Sequence, residues 1–403
     1  MTCGRRSRAS SRSKMVKSTA SRSRSDRGAS PALYEKQVNC AMQKNVLILA
    51  LCSLAVLSAG CSRGGTGKVL SLGHHEVDSL DLSQALSVTQ IVPLDNQVPV
   101  DKIVQVKRNQ SGIYVWAGNQ INRYSSDGKY LGIVGREGRG PGEYVSISGF
   151  SLSDQEVLLI DGYQRLLVHN LDGEFLRSAD IPFYAACGKI FGDRIFLDSG
   201  YRSETEKKFH VFSLETLEEL DSFQEIDDAE RTYRHIMHAE HYYVTEDNRL
   251  LYHEALNNRI YQLYPDRAEV LYSFDFWGKN PPDSFFSRRY KHIGEMVDEL
   301  SASGYVCGIP RYACGNGGHL MMYLKAGEAG MAFRYPEGKN AVQSRNIYFQ
   351  NIIRPFSCGY LPMSFNSAKD ISFAVPPEAL QGASLSEEDN PVLIFAEFRQ
   401  TME

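Results

Sequence analysis

Ile113-Tyr-Val-Trp-Ala-Gly-Asn-Gln-Ile121, followed by Asp127-Gly128-Lys129-Tyr130-Leu131, is the stretch that decides the fold, because it recurs. Forty-five residues on, without a gap, stand Leu158-Leu-Ile-Asp-Gly-Tyr-Gln-Arg-Leu166 and Asp172-Gly173-Glu174-Phe175-Leu176. The two Asp-Gly pairs coincide. Asp-Gly between β-type runs predicts a hairpin, since Gly reaches positive φ without a Cβ clash. Weaker copies follow at Ile195–Leu197, Phe209–Phe212 and Glu218–Phe223, and again at Leu250–Tyr252, Arg259–Leu263 and Val270–Phe274.

A repeat of this length, built of three or four short strands and no regular helix, points to propeller blades and away from helical or leucine-rich solenoids. A small sheet with two apolar faces cannot stand alone; closing a ring buries both faces against neighbours. Six repeats occupy about 270 of the residues from Cys61 onward and leave room for a tether and one insertion. The expected fold class is therefore all-β, a six-bladed β-propeller over residues 88–403. Val88–Leu94 and Pro391–Phe398 lie outside the clear repeats and are expected to share the closing blade. The insertion is residues 279–304, where Phe286, Tyr290, Ile293, Val297 and Leu300 recur at helical spacing after Pro281-Pro282-Asp283. A single amphipathic helix capped by Asp283 is expected there, between blades four and five. Spacing alone leaves a brace and a lid as equal readings.

The beginning of the chain reads as an address. Residues 42–61 have a polar start with Lys44, an apolar run from Val46 to Leu57 and small residues before Cys61, the layout of a secretory signal. Twelve apolar residues make a helix of about 18 Å, short of the ~30 Å hydrocarbon core. Ser58-Ala59-Gly60-Cys61 resembles a bacterial lipobox, which implies lipidation at Cys61 after cleavage; the aliphatic residue usual three places before the Cys is Ser58 here. Residues 1–41, rich in Ser and Arg, precede this signal and are read as a non-native upstream extension, with translation starting at Met42. Residues 62–87, opening with Ser62–Gly67, are expected to form a tether.

Charge excludes one class of partner. Residues 1–61 hold 11 basic and two acidic residues, so residues 62–403 carry 33 basic against 46 acidic, a net of −13. Such a surface repels phosphate backbones, and no nucleic-acid partner is expected. The chain has no P-loop, HExxH, GxSxG or CxxC motif. Its most conspicuous local motif runs from Gly135 through Gly138, Gly140, Pro141 and Gly142 to Glu143-Tyr144, and β-type alternation follows it, which excludes a dinucleotide fingerprint. The structural reading is a crossing loop between blades. In the functional reading Arg136, Arg139, Glu143 and Tyr144 bind a ligand, the guanidinium forks meeting an anionic group.

With this loop, the strand-Asp-Gly-strand repeats and the closing Asp389-Asn390-Pro391-Val-Leu-Ile-Phe, residues 88–400 resemble the six-bladed β-propeller lipoproteins of Bacteroidota, related to NHL-like propellers. The resemblance implies a lipid-anchored protein of the outer membrane or periplasm, facing the periplasm, that acts as a binding or scaffold module for an envelope protein, a peptide or a glycan. Some NHL-like propellers are lyases or lactonases with metal in the central channel, so the alternative it implies is a metal-dependent hydrolase or lyase with Ca or Zn there. The residues themselves nominate no catalytic group, no cofactor and no metal site. His235, His238 and His241 are three apart: on a strand they point to opposite faces, and on a helix His235 and His238 could converge while His241 would drift, so ordinary polar loop and strand histidines are favoured over a metal trio. Cys187, Cys307, Cys314 and Cys358 allow a Cys307–Cys314 clasp or buried thiols.

Overall fold

A computed structural model describes residues 67–400 except 201–204, 228–230, 232–240, 337–340, 360–361, 383–384 and 387. The upstream extension, the signal, the Cys61 lipidation site, and His235 and His238 lie outside the described residues. Gly64–Glu403 is one compact unit. Its chain opens with β1 (Lys68–Ser71), β2 (Leu80–Asp81) and β3 (Leu86–Pro93). Three four-stranded antiparallel meanders follow: β4–β7 (Ile103–Asn109, Gly112–Ala117, Gln120–Tyr124, Tyr130–Ile133), β8–β11 (Ile147–Leu152, Glu156–Asp161, Arg165–Asn170, Phe175–Asp180) and β12–β15 (Cys187–Phe191, Arg194–Asp198, Lys207–Ser213, Glu219–Glu225). Next come β16–β19 (Tyr242–Val244, Leu250–Tyr252, Arg259–Tyr264, Arg267–Asp275), helices α1 (Asp283–Phe286) and α2 (Ile293–Ala302), and β20–β23 (Val306–Gly315, Gly318–Lys325, Glu328–Arg334, Ala341–Ser344). The chain ends with β24 (Asn346–Phe349), β25 (Ile353–Ser357), β26 (Met363–Ser367), β27 (Asp370–Val375) and β28 (Val392–Phe398).

This is an all-β propeller, and strict alternation along the strands is what builds it. On β5, Ile113 and Val115 pack with Ala374, Leu393 and Phe395 of the closing strands, while Tyr114 and Trp116 face the other way onto Phe150, Val157 and Leu159. On β9 the same switch recurs: Val157 and Leu159 face back, and Leu158 and Ile160 face forward onto Ile190, Ile195 and Leu197. Each sheet thus buries two apolar faces, with successive side chains assigned to successive interfaces. The N-terminal β3 pairs antiparallel with the C-terminal β28, from Leu86↔Phe398 to Val392↔Pro93, so both ends of the chain close one sheet.

Three expectations need correction. Six separate blades were expected; the hydrogen bonds give five blade-sized sheets, four of four strands and one of nine in the order β1-β19-β18-β17-β16-β26-β27-β28-β3. The reason is a single parallel bridge, Val244↔Ser367, which joins innermost strand β16 to innermost strand β26 and fuses their sheets. The remaining small sheet is β2-β24-β25. Second, the expected tether is not free from Lys68 on: β1 runs parallel to β19 and β2 parallel to β24, because Leu70, Leu72, Leu80 and Leu82 are buried in the core. Third, the single helix is two. α1 begins at Asp283 itself, with Pro282 as its N-cap, and the Phe285 carbonyl that would continue it accepts the Tyr290 hydroxyl at 2.9 Å. α2 starts afresh at Ile293, where His292 accepts the Glu295 amide. Met296 and Leu300 pack on Leu256, Phe285, Tyr290 and Cys307, the contacts of a brace.

No disulfide joins the four described cysteines to one another. The core also carries a pH lever. His319 on β21 is buried, hydrogen-bonded to the Tyr312 hydroxyl at 2.8 Å. Burial, with Arg334 and Lys68 adding to it, pushes its pKa down to about 3. The folded chain keeps it neutral while the unfolded chain protonates it near 6.5, so its contribution is complete above that value and is lost as pH falls toward 3. The expected slope from this group is at most about 1.4 kcal/mol per pH unit in that window. Denaturant titrations of His319→Gln between pH 4 and 6 should show a shallower decline than the parent, by close to one proton. An unchanged slope contradicts the assignment.

Candidate functional site

A cavity of about 1080 Å³ lies where the turns between first and second strands of several sheets converge. Asn109 ends β4 at the β4–β5 turn; Asp154 and Gln155 come from the β8–β9 turn, Gly192 and Asp193 from β12–β13, Thr245, Glu246 and Asn248 from β16–β17, and Ala368 and Lys369 from β26–β27. The repeat dictates this convergence, since equivalent turns of equivalent sheets must meet around the axis. Val244, Ser367 and Ala368 also line it, so the bridge between the innermost strands forms part of its wall.

Its two arginines are already engaged. The Arg177 guanidinium donates to both carboxylate oxygens of Glu156 at 2.8 and 2.7 Å and to the Leu214 carbonyl. Arg108 sits over the Phe395 ring at 4.1 Å, with Asp370 at 3.5 Å, and donates to the Lys369 carbonyl. Burial pushes the Asp370 carboxyl up, against the Arg108 charge. Lys189 is buried. By contrast Asp154, Glu215 and Glu246 line the cavity exposed and form no hydrogen bond or ion pair with the described residues. Unpaired carboxylates therefore dominate the rim, opposed by one exposed lysine, Lys369. Phe191 is the only aromatic ring among the lining residues described.

The Arg136–Tyr144 loop lies elsewhere and contributes nothing to this cavity. Its polar groups serve one another. Glu143 accepts the Gly140 amide at 2.7 Å and pairs with Arg136 Nε at 2.6 Å, and that amide, with the guanidinium, holds the carboxyl below its ordinary range. Backbone bonds Gly138 N to Tyr144 O and Tyr144 N to Arg136 O zip the loop together. Tyr144 is buried in the core, and burial raises its hydroxyl to about 12. Arg136 and Arg139 are exposed. This is the crossing-loop geometry: a Cβ on Gly138 would fall 2.0 Å from the Glu143 carboxylate and displace it from the Gly140 amide.

Sequence reading missed the cavity residues because they stand in turns, where no periodicity marks them. One signal was present: the 45-residue shift lays Asn109 on Asp154, so each copy brings a polar side chain to the same turn. Among the described residues, the one group of three metal-competent side chains is Cys187, Asp198 and His241, away from the cavity lining. No helix of the described residues is long and apolar enough to cross a membrane.

Residues 69–397 match the sequence family described as Domain of unknown function (DUF4934). No curated protein matches the chain. Among solved structures, a Bacteroides fragilis protein named for its expected export superposes with a TM-score of 0.64 at 15% identity, covering 82% of this chain and 100% of that one. At that identity the likeness shows the fold alone. The β-propeller domain of Cps50 (Swd1) from Myceliophteria thermophila (TM-score 0.38, 8% identity, 77% and 99% covered) and BamB from Moraxella catarrhalis (0.36, 8%, 78% and 98%) are too distant to bear on the chain's role.

Proposed function

We propose, on the premise that the chain belongs to the DUF4934 family, that it is an exported propeller anchored by lipid at Cys61, faces the periplasm and binds a basic peptide segment of an envelope protein. The export name carried by the Bacteroides fragilis protein of like fold supports the location. The observation that carries the binding reading is the unpaired trio Asp154, Glu215 and Glu246 on the rim of a cavity of about 1080 Å³. A concave site of this size is what a ligand-binding module presents, and unpaired carboxylates favour a cationic partner and oppose an anionic one. A glycan is disfavoured, since the described lining holds a single aromatic ring on which a sugar could stack.

The test is selection of displayed random heptapeptides on the purified protein. Lys- and Arg-rich sequences should be enriched. Binding of the best peptide should weaken with added salt and fall about tenfold in the Asp154→Asn/Glu215→Gln/Glu246→Gln variant, about 0.5 kcal/mol for each exposed charge. Enrichment of acidic or uncharged peptides, or binding indifferent to the triple substitution, overturns the reading.

A further inference from the structure

Cys187, Asp198 and His241 stand together although they are far apart in the chain. Cys187 opens β12 and Asp198 closes β13, and the antiparallel register sets the two opposite one another. His241 immediately precedes β16, in the next meander, where its carbonyl accepts the His253 amide at 2.8 Å. The Cys187 sulfur is 3.9 Å from Asp198 Oδ2, and His241 Nδ1 is 3.8 Å from the same oxygen. The three ligand atoms lie within 4.8 Å of one another, and the residues are 9%, 3% and 7% exposed. The Tyr252 hydroxyl donates to Asp198 Oδ2 and lies 3.4 Å from His241 Nδ1, so a fourth ligand-type atom stands in the same cluster. Asp198 Oδ1 is separately held by the Gly200 amide at 2.9 Å, which fixes the carboxylate's orientation.

We propose that this cluster binds one zinc ion and clips sheet β12–β15 to strands β16 and β17. Bonds of about 2.0–2.3 Å to N, O and S at tetrahedral angles separate ligand atoms by roughly 3.3–3.8 Å, close to the spacings present. One sulfur, one imidazole nitrogen and one carboxylate form a donor set of mixed softness that suits zinc; Ca²⁺ and Mg²⁺ take oxygen shells. Lys208, whose ammonium lies 5.1 Å from the centre of the Tyr252 ring, is paired with Glu254 and so is not a bare positive charge beside the cluster. On binding, the Cys187 thiol loses its proton to solvent and the thiolate becomes the ligand, while His241 binds through neutral Nδ1. Ligands drawn from two sheets make the ion a cross-link of the folded state, so binding stabilises the fold by mass action.

The test uses the purified protein, freed of metal by chelator under reducing conditions, and titrates it with Zn²⁺ and, separately, Co²⁺. One equivalent of cobalt should give visible bands of tetrahedral intensity and a sulfur-to-cobalt charge-transfer band. Zinc should bleach them and raise the melting temperature. Cys187→Ser should lose the charge-transfer band and bind zinc at least ~100-fold more weakly, since even groups that merely orient a ligand are worth 10–100-fold. His241→Gln should weaken binding similarly while keeping the sulfur band at high cobalt. Circular dichroism identical to the parent's shows that each variant is folded; should one fail to fold, the other and the parent's own spectrum still decide. Absence of the sulfur band and of any melting shift in the parent protein overturns the proposal, as does zinc affinity unchanged in both variants.

Discussion

Gly128→Ala should lower stability by about 2–4 kcal/mol, and Gly173→Ala by a similar amount. Both glycines have φ near +90°, where a side chain costs about 1–2 kcal/mol. More decisive is what lies against them. A Cβ on Gly128 would fall 2.2 Å from the Pro93 carbonyl oxygen, and one on Gly173 2.4 Å from that of Ile133. Pro93 and Ile133 are the last residues of outer strands β3 and β7, each in the sheet preceding its glycine's own. The Gly128 carbonyl accepts the Asp95 amide at 2.9 Å, and the Gly173 carbonyl accepts the Gly135 amide at 3.0 Å. The Asp-Gly turn is thus a joint between neighbouring sheets as well as a hairpin. A methyl group there must push backbone away and weaken that hydrogen bond, about 1 kcal/mol more. Gly118 supplies the control: its φ is +57° but nothing lies within 4 Å of its Cβ position. Gly118→Ala should cost only the conformational share, about 1 kcal/mol. Urea unfolding of the three variants measures the difference; equal costs would show that the joint contributes nothing.

Lys208→Met should destabilise by about 3–5 kcal/mol, and adding Glu254→Gln should recover much of that. Lys208 is 2% and Glu254 5% exposed, on β14 and just after β17. The ammonium lies 5.1 Å from the centre of the Tyr252 ring, and the Asn257 amide donates to the second Glu254 oxygen. Removing the lysine alone strands a buried carboxylate, and that is the costly state. Neutralising both removes the stranded charge and leaves only lost contacts. A double variant as unstable as the single would refute this account. Thermal and urea melts at neutral pH give both numbers.

How much of this was legible beforehand follows from where the physics resides. Blade-type sheets were readable because Ile113–Ala117 and Val157–Asp161 alternate between two apolar surroundings, and the Asp-Gly turns because φ > 0 selects glycine. The pairing of β3 with β28 was readable from two β-type runs left over at the ends. The fusion of two sheets was not: Val244↔Ser367 is one backbone contact between residues 123 positions apart, with no side-chain signature. The outer strand Lys68–Ser71 was hidden because its apolar residues, Val69 and Leu70, follow a glycine-rich run that reads as linker. Glu143 and Tyr144 were visible as a motif, yet their conspicuousness records the demands of a tight crossing, with Tyr144 buried and Glu143 holding amides. The rim carboxylates were invisible for the opposite reason, since a turn accepts almost any polar residue. Cys187, Asp198 and His241 could not be grouped without the register that sets Cys187 across from Asp198.

The tie between Val244 and Ser367 has a mechanical consequence. It stitches the hub directly from β16 to β26, while the chain between them makes the excursion through α1, α2 and β20–β25. Thermal agitation that loosens that excursion need not splay the spokes on either side, because their inner ends remain knotted to each other. Because the knot also lies in the wall of the large hollow, its mouth should keep a constant gape whether a guest is seated or absent, behaving as a fixed socket and not as an iris.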